Sequence, residues 1–166
     1  MSLKTVYPAG WLQTVNDNFA AQGPLDADVG LGSLRVARFV FDAADVDSAD
    51  VDNLDVGAHG VGVTLPANAI VVGGFFDVNT AFTTSASGTL AISVQAANDI
   101  QTAAVVSGAP FSTIGRKAIV PKANTPESTS VKTSAAKEIT CTVAVGVLTA
   151  GKLTGYLYFV EGVASA

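Results

Sequence analysis

Along much of the chain apolar and polar residues alternate with a period of two, the pattern of strands that bury one side. The longest such stretch runs from Thr64 to Phe82. Pro66 and Asn68 punctuate its start; Ile70, Val72, Phe76, Val78 and Phe82 then fall on one side, with Asp77 and Asn79 on the other. Gly73 and Gly74 interrupt the stretch, where a bulge or a close approach of another backbone is the usual reason. Val71 and Phe75 put apolar bulk on the side that should be wet. That predicts a cover over the outer face, supplied by a second sheet edge, an arm or a neighbouring subunit.

The same period recurs elsewhere. A strand over 34–41 turns Ala37, Phe39 and Phe41 one way and Arg38 the other. Shorter strands are expected over 60–64, 88–96 and 116–120. Ile139, Cys141, Val143, Val145 and Val147 alternate with Thr140, Thr142, Ala144 and Gly146, and Thr149-Ala150-Gly151 is expected to turn the chain into a last strand. There Leu153, Leu157 and Phe159 face one way, Tyr156 and Tyr158 the other. Between Asn98 and Val106, Ile100, Ala103 and Ala104 share a helical face, which predicts one or two helical turns. About seven or eight strands joined by Gly-, Pro- and Ser-rich turns argue an all-β, antiparallel β-sandwich, jelly-roll-like ahead of immunoglobulin-like.

Residues 1–30 read differently. Trp11, Leu12, Val15 and Phe19 stand at helical spacings before Gly23-Pro24 ends the run. Two or three helical turns are not stable alone in water, so this segment has to dock, on its own domain or on a neighbour. The expected organisation is therefore an N-terminal arm with a short helix over 1–30 and a sandwich domain over 31–166.

Composition narrows the function. Charged residues make up 14% of the 166 residues and apolar ones 49%, against about 25% charged in an average globular chain. Such a balance suits a protein that hides surface in an assembly, and equally an ordinary Ala-, Val- and Thr-rich β-domain. A net charge of −5, with nine scattered basic residues, argues against nucleic-acid binding. No apolar run reaches the roughly 18 residues that span a bilayer, and the opening residues lack the apolar core of a signal peptide. One cysteine excludes an internal disulfide and fits folding in a reducing cytosol.

Catalytic chemistry is thinly represented. The single imidazole, His59, cannot build a multi-histidine metal site, and no Gly-x-Ser-x-Gly elbow accompanies it. Cys141 shares the parity of Ile139 and Val143, which makes it a core thiol. Asp77, Asp99, Glu138 and Glu161 are isolated carboxylates with no sign that they meet across a cleft. The acidic run Asp42, Asp45, Asp47, Asp50, Asp52, Asp55 lacks the order of a calcium loop closed by a glutamate, so a solvated loop is expected and no metal or cofactor is assigned. Tyr156 and Tyr158 could form an aromatic platform for a glycan, or a cross-strand or subunit contact.

The order Leu65-Pro-Ala-Asn-Ala-Ile-Val-Val-Gly-Gly-Phe-Phe-Asp-Val-Asn-Thr-Ala-Phe82, Thr89 to Val94, Phe111 to Pro121, Lys137 to Val145 and Leu148 to Leu153 resembles virion structural proteins of tailed bacteriophages. Within them it is most similar to capsid decoration, or cement, proteins and related head-fibre domains. The resemblance covers about residues 60–160; the arm and the acidic run have no counterpart in it. It implies a jelly-roll-like sandwich, a homotrimer seated on the outer capsid surface against the major capsid protein, and no catalytic residue. The protein would be made in the host bacterial cytoplasm and end in the virion. On that reading Tyr7, Trp11, Leu12, Val15 and Phe19 of the arm contact the shell or a subunit, and Val71 and Phe75 contact a subunit. The alternative is a fibre, spike or tail-tip module that binds a host glycan through Tyr156 and Tyr158.

Overall fold

The computed structural model describes residues 34–121 and 130–161. The expected arm and its contact candidates Tyr7, Trp11, Leu12, Val15 and Phe19 lie outside the described residues. Eight strands follow in order: β1 Leu34–Asp42, β2 Gly57–Leu65, β3 Ala69–Thr84, β4 Thr89–Ser93, β5 Gln101–Val105, β6 Gly115–Ile119, β7 Lys137–Ala144 and β8 Leu148–Glu161. They form two four-stranded sheets, one in the order β1-β8-β3-β6 and the other β2-β7-β4-β5. Each strand of the first half thus lies beside its reverse-order counterpart in the second half: β1 by β8, β2 by β7, β3 by β6, β4 by β5. A long hairpin rolled over itself produces this order, which is that of a jelly roll. The β1–β2 and β7–β8 connections meet where the Leu148 N–H donates to the Leu54 carbonyl at 2.9 Å; at the β3–β4 and β5–β6 connections the Val106 N–H donates to Gly88 at 2.9 Å.

The core lies between the sheets. Phe39, Phe41, Phe76, Phe82, Phe111, Leu90, Ile92, Ile139 and Leu153 are among its fully buried side chains, each contributing about 1.5–3 kcal/mol on burial. Phe111 stacks on Phe76 with ring centroids 5.6 Å apart and meets Phe82 edge-on at 5.7 Å. Every second residue of β8 is buried from Gly151 to Phe159. Gly155 belongs to this series because Phe39 occupies the space where a side chain would stand: a Cβ at Gly155 would fall inside the Phe39 ring.

In β3 the alternation changes phase. Val71 pairs with Phe159 and Gly73 with Tyr158, two steps on β3 against one on β8, so Val72 is the extra residue of a bulge. A one-residue insertion moves every later side chain to the opposite face. Before the bulge Ala69 and Val71 point into the core; after it Phe76, Val78 and Phe82 do. The expected single face of Ile70, Val72, Phe76 and Val78 therefore holds only beyond Gly74. Val71 is fully buried rather than on the outer face, and Val72 is 46% exposed. Gly74 has one of the expected causes, since it lies against the Tyr156 carbonyl with no room for a Cβ, whereas Gly73 directly follows the bulge and has open space beside it.

Two further expectations change. Residues 101–105 form strand β5 rather than helical turns, because Asp99 accepts the N–H groups of Val94, Gln95 and Ala96 at 2.9 Å each and closes a turn that returns the chain to β4. The final turn falls at Val145 and Gly146, not at Thr149–Gly151. The Gly146 N–H donates to the Ala144 carbonyl at 2.8 Å, with Val145 at φ 70° between them. That tight reversal ends the β7 alternation at Val143 and leaves Val145 74% exposed.

Candidate functional site

The bulge decides what the outer face of the β1-β8-β3-β6 sheet displays. With the phase shifted, Phe75 and Asp77 of β3 point outward beside Tyr156 and Thr154 of β8, their direct cross-strand partners. On the other flank Phe75 pairs with Ala118 and Asp77 with Arg116 of β6. Phe75 is held from both sides. Tyr156 stacks on it with ring centroids 4.8 Å apart and 24° between planes, and Tyr158 meets it edge-on at 6.1 Å. From β6 the Arg116 guanidinium lies 4.3 Å from the ring centroid, a cation–π contact for which the small Ala118 leaves space.

Arg116 is itself fixed. Its Nε and one terminal nitrogen donate to the two Asp77 oxygens at 3.0 and 3.1 Å, the bidentate fork that suits a guanidinium and a carboxylate. The hydrogen bonds from Arg116 hold the Asp77 carboxyl below the usual carboxylate range, and Asp77 in turn raises Arg116. Exposed Val72, Ala118 and Val120 adjoin the cluster. The result is a flat face of rigid aromatic rings and an oriented arginine, the side chains that dominate the centres of protein–protein contacts.

The remaining candidate residues go elsewhere. Phe75, Tyr156 and Tyr158, read separately in the sequence, are brought together. The four isolated carboxylates stay apart: Asp77 with Arg116, Asp99 in its turn, Glu138 accepting the Gly62 N–H at 2.6 Å, and Glu161 beside Arg35 at 3.1 Å. His59 is buried, with Nδ1 3.3 Å from Asp47 and Nε2 2.9 Å from the Asp55 carbonyl, so it pins the acidic loop to β2. Cys141 is buried in the core, and burial pushes its thiol well above its ordinary value. In the acidic run, Asp42, Asp47 and Asp52 accept N–H groups of Ala44, Ala49, Val51 and Leu54, so these carboxylates shape turns. Arg116 and Ala118 were not singled out in the sequence. The alternation Arg116, Ala118, Val120 carried the signal, but only register with β3 shows that it meets Phe75.

No protein-family model and no curated protein matches the chain. Among solved structures it is similar to a chain of the capsid of Ralstonia phage GP4. They share 17% identity over 80% of this chain and 87% of that one, with a TM-score of 0.52. It is also similar to a chain of the acidic stable capsid structure of Helicobacter pylori bacteriophage KHP30, at 12% identity over 78% and 89% of the two chains, with a TM-score of 0.50. At these identities the likeness is one of fold.

Proposed function

We propose that this chain is a non-enzymatic structural protein of a bacteriophage virion, which binds the outer surface of the capsid as an oligomer, a trimer by preference, and stabilises the shell. The observation that carries the reading is the Phe75, Tyr156, Tyr158 and Arg116 cluster, a preorganised contact surface on a sandwich shared with chains of two phage capsids. A trimer offers each contact three times to a symmetric lattice, so modest individual contacts add through effective concentration. A protein that binds the assembled shell and not its separated subunits stabilises assembly by linkage. The partners are then other copies of this chain and the major capsid protein.

A glycan-binding fibre, spike or tail-tip module is the second reading, favoured by Tyr156 and Tyr158 on one open sheet face. Against it, a sugar stacks on a free ring face, whereas the Phe75 ring is already flanked by Tyr156 and Arg116. Light scattering on the purified chain and co-sedimentation with shells lacking it separate the two. The structural reading expects a trimer that pellets with shells. A strict monomer that stays in the supernatant, together with saturable hits on a glycan array, would favour the second.

A further inference from the structure

The two ends of the sandwich differ in chemistry. Thr89 pairs with both Ala144 and Val105, Gly57 with Val143 and Leu148 with Thr84, so one end gathers the close of β3, β5 and β7 and the start of β2, β4 and β8. Three connections at this end, 85–88, 106–114 and 145–147, contain no charged residue. It presents instead Val56, Val105, Val145 and Val147, whose exposure runs from 39% at Val147 to 74% at Val145. Neighbouring strands lie about 4.8 Å apart, so these valines stand within a few strands of one another. The opposite end carries the Arg35 and Glu161 ion pair at 3.1 Å, Lys137 at the start of β7 and Asp99 in the β4–β5 turn.

Val145 differs from the other three. The hydrogen bond from the Gly146 N–H to the Ala144 carbonyl closes a three-residue turn with Val145 at φ 70° in its middle, the strained hand of the γ-turn. A β-branched residue is rarely held there, because its Cβ crowds the backbone. Among the described residues the other non-glycine positions with positive φ are Asp50, Asn68 and Asn98, the types that tolerate it. The turn itself needs only a glycine or an asparagine. Valine therefore costs stability at this tip, and its exposed side chain recovers little of that by packing on its own domain. Strain kept at an exposed apolar position points to a contact outside the chain.

An uncharged apolar tip fits a partner surface that is itself apolar and uncharged, since a charge buried against it would go unpaired. A second copy docked tip to tip fits poorly. The β1–β2 connection at this end adds Asp45, Asp50, Asp52 and Asp55, and two such loops brought together would repel. The tip looks along the strands and the aromatic face looks across them, so one molecule can use both at once. We propose that Val145, with Val56, Val105 and Val147 around it, seats this end of the sandwich in an uncharged apolar recess of the capsid shell. The proposal rests on the capsid reading and adds to it the end that meets the shell.

The test uses the full chain and phage shells that lack it, with pelleting, light scattering and urea unfolding measured on each variant. Val145→Asn keeps the turn and relieves its strain, so its urea midpoint should rise above the parent's. Its affinity for shells should nevertheless fall about tenfold or more. Val145→Ile, which keeps a branched apolar tip, should pellet as the parent does, and both variants should keep the parent's oligomeric state. Val145→Asn pelleting like the parent overturns the proposal. So does a lower urea midpoint in that variant, which would make the valine part of the domain's own packing. Loss of the oligomer in Val145→Asn would assign the tip to a second copy and overturn the shell as its partner. A folded parent that never pellets defeats the capsid reading itself, and the proposal with it.

Discussion

Phe75 and Tyr156 are direct cross-strand partners on β3 and β8, with rings stacked 4.8 Å apart. The pairing depends on the bulge at Val72, because without the extra residue Phe75 would point into the core. One backbone irregularity therefore sets which aromatic side chains the outer face displays. It also moves Val71 into the core, where it is fully buried.

The stack should be measurable as a coupling. Phe75→Ala and Tyr156→Ala, singly and together, are expected to show an interaction of about 0.5–1.5 kcal/mol in urea unfolding. Strictly additive losses would mean that the rings stack without helping each other.

Gly155 is expected to be intolerant for a steric reason. Gly155→Ala drives a methyl group into the Phe39 ring and should cost about 1–3 kcal/mol, the usual range for overpacking. Phe39→Leu in the same chain should recover part of that loss, and a double variant no better than the sum of the two would place the strain elsewhere.

Acid should act through Asp47. Hydrogen bonds from the Val51 N–H foremost, with Ala49 and His59, lower its pKa in the folded protein. A group with a depressed folded value contributes stability above its unfolded value of about 3.9, and that contribution is lost as pH falls through the folded value. Asp47→Asn should therefore lower the melting temperature at neutral pH, and the gap from the parent should narrow as pH falls below the unfolded carboxylate value of about 3.9. A gap independent of pH would assign the effect to shape rather than charge.

The Cys141 thiol should be silent in the folded chain. Buried and pushed to high pKa, it offers no thiolate to a reagent such as a disulfide dye. Labelling should be negligible in native buffer, complete in denaturant, and in between should follow the unfolding equilibrium. Fast labelling without denaturant would show that β7 opens locally.

Much of the sandwich was legible because strand alternation is a local signal. Phe39 and Phe41 of β1, Cys141 and Val143 of β7, and Leu153, Leu157 and Phe159 of β8 all bury as their parity requires. The failures are those of non-local causes. Periodicity cannot report the bulge that exchanges Val71 and Val72, because the phase is set by pairing with β8. The β5 segment carried a helical spacing that the Asp99 turn and pairing to β4 override. The site was half visible: Tyr156, Tyr158 and Phe75 stood out as apolar bulk on an outer face, but their meeting, and the Arg116 to Asp77 fork that completes it, is a matter of register across three strands.

Co-sedimentation with phage shells that lack this chain tests the central claim most directly. The parent should pellet with shells to a fixed saturating ratio and remain in solution without them, while a folded Phe75→Ala, Tyr156→Ala variant should pellet much less. A natively folded parent that stays in the supernatant at every shell concentration would contradict the capsid-binding role.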